Sequence, residues 1–302
     1  MLSRIAIIIN ASAGVDDKQS LVKTLEETFR SAGIDACVVL ARSDTELCDA
    51  LIRAVQTSPQ AIVAGGGDGT INAVATMLVG TDIALGVLPL GTLNHFAKDL
   101  NIPLDFGAAV RNVIAGRTVR VDVGEVNDRY FLNNSSLGIY PRIVRDRDQQ
   151  QRSGRRKWVA FFWAVLAVLR RRSFLNVRLV VNGKDHIRRT PFVFIGNNEY
   201  QMEGFNLGTR ACLNAAQLSV YTVKHERRGG LLMLALRALF GRLHQSKDFD
   251  AFCAPDLLIE SRHGHMQVAI DGEVMMMSTP LRYRVRPGAL RVIVPDGLEC
   301  AR

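Results

Sequence analysis

The sequence predicts an α/β + β protein: an N-terminal α/β domain on a parallel sheet, followed by a mostly antiparallel β-sandwich domain. Three observations point there. Apolar runs alternate with amphipathic helical patterns over roughly the first 125 residues. Short strand-like runs, divided by turn dipeptides, take over after Asp122. A glycine-rich turn, Gly65-Gly66-Gly67-Asp68-Gly69-Thr70, joins one of the apolar runs to the helix after it. At 302 residues the chain is long for one core and comfortable for two. The expected boundaries are 1–125 and 126–302, with the C-terminal tail free to pack back on the first domain.

Arg4 to Asn10 is a continuous apolar run, as a strand buried on both faces requires. Leu21, Leu25 and Phe29 recur every four residues and mark a helix that Gly33 closes. The unit then repeats. Ala36 to Ala41, Ala61 to Ala64 and Ile83 to Leu88 read as strands, with helices over Thr45 to Val55 and Thr70 to Leu78. In the second domain the strand-like runs are Arg129 to Leu132, Val177 to Val181, Phe192 to Ile195, Leu218 to Thr222 and Leu257 to Glu260. They continue as Gln267 to Ile270, Leu281 to Val285 and Leu290 to Val294. Asn182-Gly183 and Pro287-Gly288 supply turn signals between them. Two helical segments interrupt the pattern, Lys157 to Leu169 and Leu231 to Leu243.

Hydrophobic residues at 48% and charged residues at 22% place the chain among ordinary globular proteins. The net charge of +9 favours an anionic partner, whether nucleotide, nucleic acid or acidic lipid surface, although a solvated basic face has the same composition. No aromatic platform or DNA-binding motif accompanies the charge, so a nucleic-acid partner is not expected. Cys37, Cys48, Cys212, Cys253 and Cys300 are scattered, odd in number and without a CxxC pair. That argues against a disulfide framework or a zinc site and suits a reducing compartment. The N-terminus lacks the order of a signal peptide, and a cytoplasmic location is expected.

The chemistry concentrates in the glycine turn. Residues without Cβ let backbone N–H groups approach phosphate oxygens, and the N-terminus of the following helix adds positive partial charge. Asp68 can serve magnesium, which prefers carboxylate and water oxygens, and Thr70 can cap the helix or meet a phosphate. The turn is neither a Walker A loop nor a GxGxxG fingerprint. Its plainer explanation is a tight strand-to-helix corner. A second such corner, Pro89-Leu90-Gly91-Thr92-Leu93-Asn94-His95, follows the next strand. Two Gly-Thr turns at the ends of successive parallel strands share the sheet edge where ligands usually bind.

These two motifs in this order, with Asp271-Gly272-Glu273 near the C-terminus, resemble the diacylglycerol kinase catalytic-domain family, which includes sphingosine, ceramide and bacterial lipid kinases. The resemblance covers nearly the whole chain. It implies an ATP-dependent lipid kinase with Mg2+, acting on a diacylglycerol, sphingoid base or related lipid, with its active site in the cleft between the domains. It assigns Asn10, Gly66, Gly67, Asp68, Gly69, Thr70, Thr92 and Asn94 to the nucleotide, with a further contact around Ser43 to Thr45. Asp271 becomes the general base, since a lipid hydroxyl is a poor nucleophile until a nearby carboxylate takes its proton. Taken alone, Asp271-Gly272 is simply the commonest hairpin turn. Glu273 is placed beside the nucleotide, Asp122 joins Asp68 in the metal network, and Lys157 reaches the phosphates from the basic run Arg152 to Lys157.

Two departures from the family pattern stand out. His95 occupies a position where many members carry Asp. Leu213-Asn214-Ala215-Ala216-Gln217-Leu218 replaces an acidic stretch that some bacterial relatives use for a structural metal, so that site is not expected.

Trp158 to Leu169 is twelve apolar residues long, flanked by Arg155-Arg156-Lys157 and Arg170-Arg171-Arg172. It is too short to span a bilayer, and reads either as a core helix or as a segment dipping into an anionic membrane surface. The expected partners are a lipid substrate and the inner face of a membrane, touched peripherally. A soluble NAD-kinase-like phosphotransferase and a non-catalytic nucleotide or lipid sensor are the competing functions.

Overall fold

The computed structural model describes residues 2–12, 18–138, 174–181, 183–203, 206–210, 212–223 and 249–297. Lys157, the apolar segment Trp158 to Leu169 and the expected helix Leu231 to Leu243 lie outside the described residues.

The chain divides into two compact units. One comprises Met1–Val123, Cys212–Asn214 and Pro287–Arg302; the other comprises Gly124–Ala211 and Ala215–Arg286.

The first unit opens with β1 (Arg4–Asn10), α1 (Lys18–Ser31), β2 (Asp35–Ala41), α2 (Asp44–Gln56) and β3 (Ala61–Gly66). It continues with α3 (Asp68–Leu78), β4 (Ala84–Pro89), α4 (His95–Asp99), α5 (Phe106–Ala115) and the start of β5 (Thr118–Val126). Its strands run parallel in the order β2-β1-β3-β4. Ile5, Ile7, Ile9, Val63 and Leu88 from the strands pack with Leu25, Phe29 and Val113 from the helices in one buried cluster. Between Arg4 and Asn10, β1 is apolar and buried on both faces, as a strand covered on both sides must be. The order has a mechanical consequence. The chain leaves β1 towards β2 on one side and comes back to β3 on the other. That creates a topological switch point between β1 and β3 at the carboxyl edge of the sheet.

In the second unit β5 turns into β6 (Arg129–Phe131) and then β7 (Asn134–Gly138). Next come β8 (Leu175–Val181), β9 (Lys184–Thr190), β10 (Phe192–Asn197), β11 (Tyr200–Glu203), β12 (Asn206–Arg210) and β13 (Leu218–Val223). The last are β14 (Phe249–Ala254), β15 (Asp256–Ser261), β16 (His265–Ile270), β17 (Glu273–Ser278) and β18 (Leu281–Ile293). One antiparallel sheet has the order β14-β13-β10-β7-β16-β17, and the opposing one runs through the first half of β18 to β15, β8 and β9. Leu137, Val193, Ile195, Val220 and Val268 from the first sheet meet Val177, Leu179, Leu257, Ile259 and Tyr283 from the second. This is a β-sandwich core.

One expectation is corrected here. Pro287-Gly288 does not separate two strands, because β18 runs unbroken from Leu281 to Ile293. Pro287 withholds a donor and Gly288 adopts φ +55°, which bends the strand where the chain passes from the second unit to the first. The Gly288 N–H is turned to the Asp122 carboxylate at 2.8 Å.

Candidate active site

Three strand ends bring the glycine-turn residues together at the switch point of the first unit. Asn10 closes β1, and its Nδ2 donates to Thr70 Oγ1 at 3.1 Å, while its Oδ1 accepts the Ser12 N–H at 2.9 Å. One amide therefore shapes the loop after β1 and pins the first turn of α3. The head of α3 carries no side-chain cap: Gly67 is its N-cap residue. By contrast, Ser43 caps α2 and Asp105 caps α5 with their side chains. Backbone N–H groups in the first turn of a helix need acceptors, and an uncapped turn of this kind suits an anion. Ser43 is spent on its cap, taking the Glu46 N–H at 3.2 Å.

The two glycine turns touch. A Cβ on Gly91 would lie 2.5 Å from Gly67 Cα, and one on Gly66 would lie 2.6 Å from Thr70 Oγ1. Only glycine lets these backbones approach so closely. Asn94 locks the second turn from within. Its Nδ2 donates to the Gly91 carbonyl at 2.8 Å and its Oδ1 accepts the Gly91 N–H at 3.1 Å. The side chain is buried and the residue sits in the left-handed region at φ 50°. Thr92 and His95 are exposed beside it.

Asp68 is half-buried at the start of α3, with Oδ1 3.4 Å from the Phe96 N–H. Asp122 is buried in β5 and held by Gly288. Among the described residues no three Asp, Glu, His or Cys side chains form a metal cage. Magnesium does not require one, since it is commonly held by one or two carboxylates, waters and substrate phosphates. Asp68, half-buried at the head of the uncapped turn, fits that pattern. The stretch Leu213 to Gln217 is a loop without carboxylates, and the Leu213 carbonyl accepts the Asp122 N–H at 2.7 Å.

Asp271 belongs to the second unit. With Gly272 it makes the two-residue connection of the β16–β17 hairpin, Ile270 standing opposite Glu273. Both central residues have positive φ, 45° and 92°, the mirror-image turn that Asp-Gly favours. The turn aims the carboxylate at the peptides that precede β7. Oδ2 accepts the Leu132 N–H at 2.7 Å, and Oδ1 accepts those of Asn133 and Asn134, each at 2.9 Å. Burial pushes the carboxyl's pKa above its usual range, against the opposing pull of the three amides and of Arg210. A carboxylate has about four acceptor positions, and these amides take three of them. Glu273 is exposed at the start of β17.

The residues that build this cradle carry no sequence signal. Arg210, buried at the end of β12, donates to the Leu132 carbonyl at 2.6 Å, the Asn197 carbonyl at 3.0 Å and Asn133 Oδ1 at 3.0 Å. Asn197 Nδ2 also reaches the Leu132 carbonyl at 2.9 Å, and the Tyr200 hydroxyl donates to the Asn133 carbonyl at 3.0 Å.

A parallel α/β unit with an uncapped glycine turn at its switch point is followed along the chain by a β-sandwich unit. The diacylglycerol kinase catalytic domain matches residues 4–126, and the YegS C-terminal NAD kinase β-sandwich-like domain matches residues 136–294. The chain therefore belongs to the diacylglycerol kinase catalytic-domain family and is a lipid kinase by that membership. It is 28% identical to "Probable lipid kinase YegS-like" of Klebsiella pneumoniae (strain 342), over 98% of each chain. To the Serratia proteamaculans (strain 568) protein of the same name it is 32% identical, over 82% of this chain and 80% of that one. The crystal structure of a diacylglycerol kinase from Bacillus anthracis str. Sterne shares the fold. Its TM-score is 0.72, at 18% identity and 99% coverage of both chains. No helix among the described residues is long and apolar enough to cross a membrane.

Proposed function

We propose that the protein transfers the γ-phosphate of ATP to a lipid hydroxyl, with diacylglycerol, a sphingoid base or a related lipid as acceptor. The observation that carries this reading is the uncapped α3 turn at the β1/β3 switch point, supported by a relative that matches over 98% of the chain. The first-turn amides of α3 and the Thr70 hydroxyl receive the nucleotide's phosphates, with Asn10 holding Thr70 in place. Asn94 keeps the Gly91-Thr92 turn open to the nucleotide. Asp68 holds magnesium, with Asp122 as a further carboxylate of its network. When bound, magnesium supplies charge neutralisation for the transferring phosphoryl group.

Asp271 takes the proton of the acceptor hydroxyl on Oδ2. The hydroxyl oxygen forms its bond to the γ-phosphorus, the bond from that phosphorus to the β–γ bridging oxygen breaks, and ADP leaves. The raised pKa suits the task, because a base works best when its pKa lies nearer the working pH. Lys157 and Glu273 serve the phosphates and the nucleotide. The acceptor's long apolar chains require work at a lipid surface, and the net charge of +9 favours an anionic one.

Incubation with γ-labelled ATP, magnesium and mixed micelles of diacylglycerol, sphingosine, ceramide or phosphatidylglycerol tests the reading. Label in one lipid is the expected result; ATP binding without label in any lipid would overturn it. The NAD-kinase-like description of the second domain keeps one rival in view. A soluble phosphotransferase would label NAD, and its activity would stay in solution when vesicles are sedimented.

A further inference from the structure

A single peptide group joins two opposite charges in the second unit. The carbonyl of the Leu132–Asn133 peptide accepts Arg210 Nη1 at 2.6 Å, and the N–H of the same peptide donates to Asp271 Oδ1 at 2.9 Å. Its dipole is thus aligned between a buried guanidinium and a half-buried carboxylate. Polarised chains of this kind strengthen each bond within them. Arg210 is only 4% exposed, and taking its charge out of water is costly unless a nearby negative charge answers it. The carboxylate of Asp271 gives that answer through the peptide. Among the described residues, Arg210 is the charged group that acts on it. The other donors to this turn, Asn197 and Tyr200, are neutral.

We propose that Arg210 is a positioning residue for Asp271. It orients the Leu132–Asn134 peptides that hold the carboxylate and relays positive charge to it through the Leu132–Asn133 peptide. Its effect on turnover rests on the reading of Asp271 as the general base, whereas the relay itself does not.

The relay is tested on the full chain by carbon-13 NMR titration of the Asp271 carboxyl in wild type, Arg210→Gln, Arg210→Lys and Tyr200→Phe. Removing a nearby opposite charge takes away one of the pulls that oppose burial, so the midpoint in Arg210→Gln moves up by roughly half a unit to one unit. Arg210→Lys retains the charge and holds the midpoint near wild type. Tyr200→Phe removes a neutral donor from the same turn and leaves the midpoint unmoved. An unmoved midpoint in Arg210→Gln, or an equal shift in Tyr200→Phe, overturns the relay.

Positioning is read kinetically, with diacylglycerol mixed micelles and ATP. Arg210→Lys loses the planar fork, so kcat falls by roughly tenfold or more while the KM for ATP stays put. Tyr200→Phe, which leaves the Arg210 fork in place, loses less than Arg210→Lys on the same scale. This pair decides the proposal even if Arg210→Gln does not fold, because equal losses in the two variants overturn it. An Asp271→Asn variant at full turnover would overturn the base assignment instead. A dead Asp271→Asn variant combined with an unmoved midpoint in Arg210→Gln overturns only the role of Arg210.

Discussion

Substituting alanine at Gly91 tests the contact between the two glycine turns. The backbone at Gly91 is not in the left-handed region, so alanine can adopt it, and the penalty is steric. Its Cβ would lie 2.5 Å from Gly67 Cα and 2.8 Å from Asn94 Oδ1. Relief to ordinary contact requires the turns to part by about 1 Å, since apolar atoms pack best at roughly 3.5–4.0 Å. Overpacking of that size costs about 1–3 kcal/mol. The Gly91 N–H to Asn94 Oδ1 bond, worth about 1 kcal/mol, is disturbed as well. Together these lower the Tm by roughly 5–12 °C. A shift of this size in a phosphate-binding backbone should also raise the KM for ATP by roughly tenfold or more. Circular dichroism melting and ATP titration calorimetry measure the two effects. Gly264→Ala serves as control, because nothing lies within 4 Å of its new Cβ. A Gly91→Ala protein with wild-type melting and wild-type ATP affinity would refute the reasoning.

Three further outcomes are expected. Glu125 is buried and held by Arg284 and Arg286; burial pushes its pKa up, but the two guanidiniums prevail and leave it below the ordinary value of 4.5. Its stabilisation is therefore present above the unfolded-state pKa and is lost as pH falls through the lower folded-state value. Glu125→Gln should cost about 2 kcal/mol at neutral pH in urea unfolding and flatten the acid side of the stability profile. Asn10→Ala frees Thr70 and the Ser12 loop, so the KM for ATP should rise by roughly threefold to tenfold with a smaller change in kcat. Chelating magnesium should abolish transfer but leave the melting temperature of the nucleotide-free protein unchanged, since no protein-built cage exists among the described residues.

The first unit was largely legible in the sequence because its strands are buried on both faces and announce themselves as unbroken apolar runs. Ile5 to Ile9 and Ala61 to Ala64 are essentially inaccessible to solvent. The second unit was less so. β7 reads Asn-Ser-Ser-Leu-Gly, yet Ser135 and Ser136 are fully buried. Ser135 is satisfied by the Ala269 carbonyl and by Tyr283, partners more than a hundred residues away that no local pattern reveals. β9 is a charged strand at the sheet edge and carries no apolar signal. α5 carries local signals of its own, a capping Asp105 before it and Gly116 after it. In the site, Asp271-Gly272 was visible as a turn. Its cradle was not, because the donors are backbone amides of Leu132, Asn133 and Asn134, and any residue supplies an amide. Arg210 reaches that cradle from a strand almost eighty residues later in the chain.

The central claim is that Asp271 takes the acceptor's proton, and Asp271→Asn tests it most directly. Asparagine keeps an oxygen for the Asn133 and Asn134 amides but turns an N–H2 towards the Leu132 N–H, at a cost of about 1–3 kcal/mol in stability. Phosphate transfer from labelled ATP to lipid should fall by roughly 10²–10⁴-fold, while calorimetry shows ATP bound as in wild type. A folded Asp271→Asn protein that phosphorylates lipid at the wild-type rate would contradict the account.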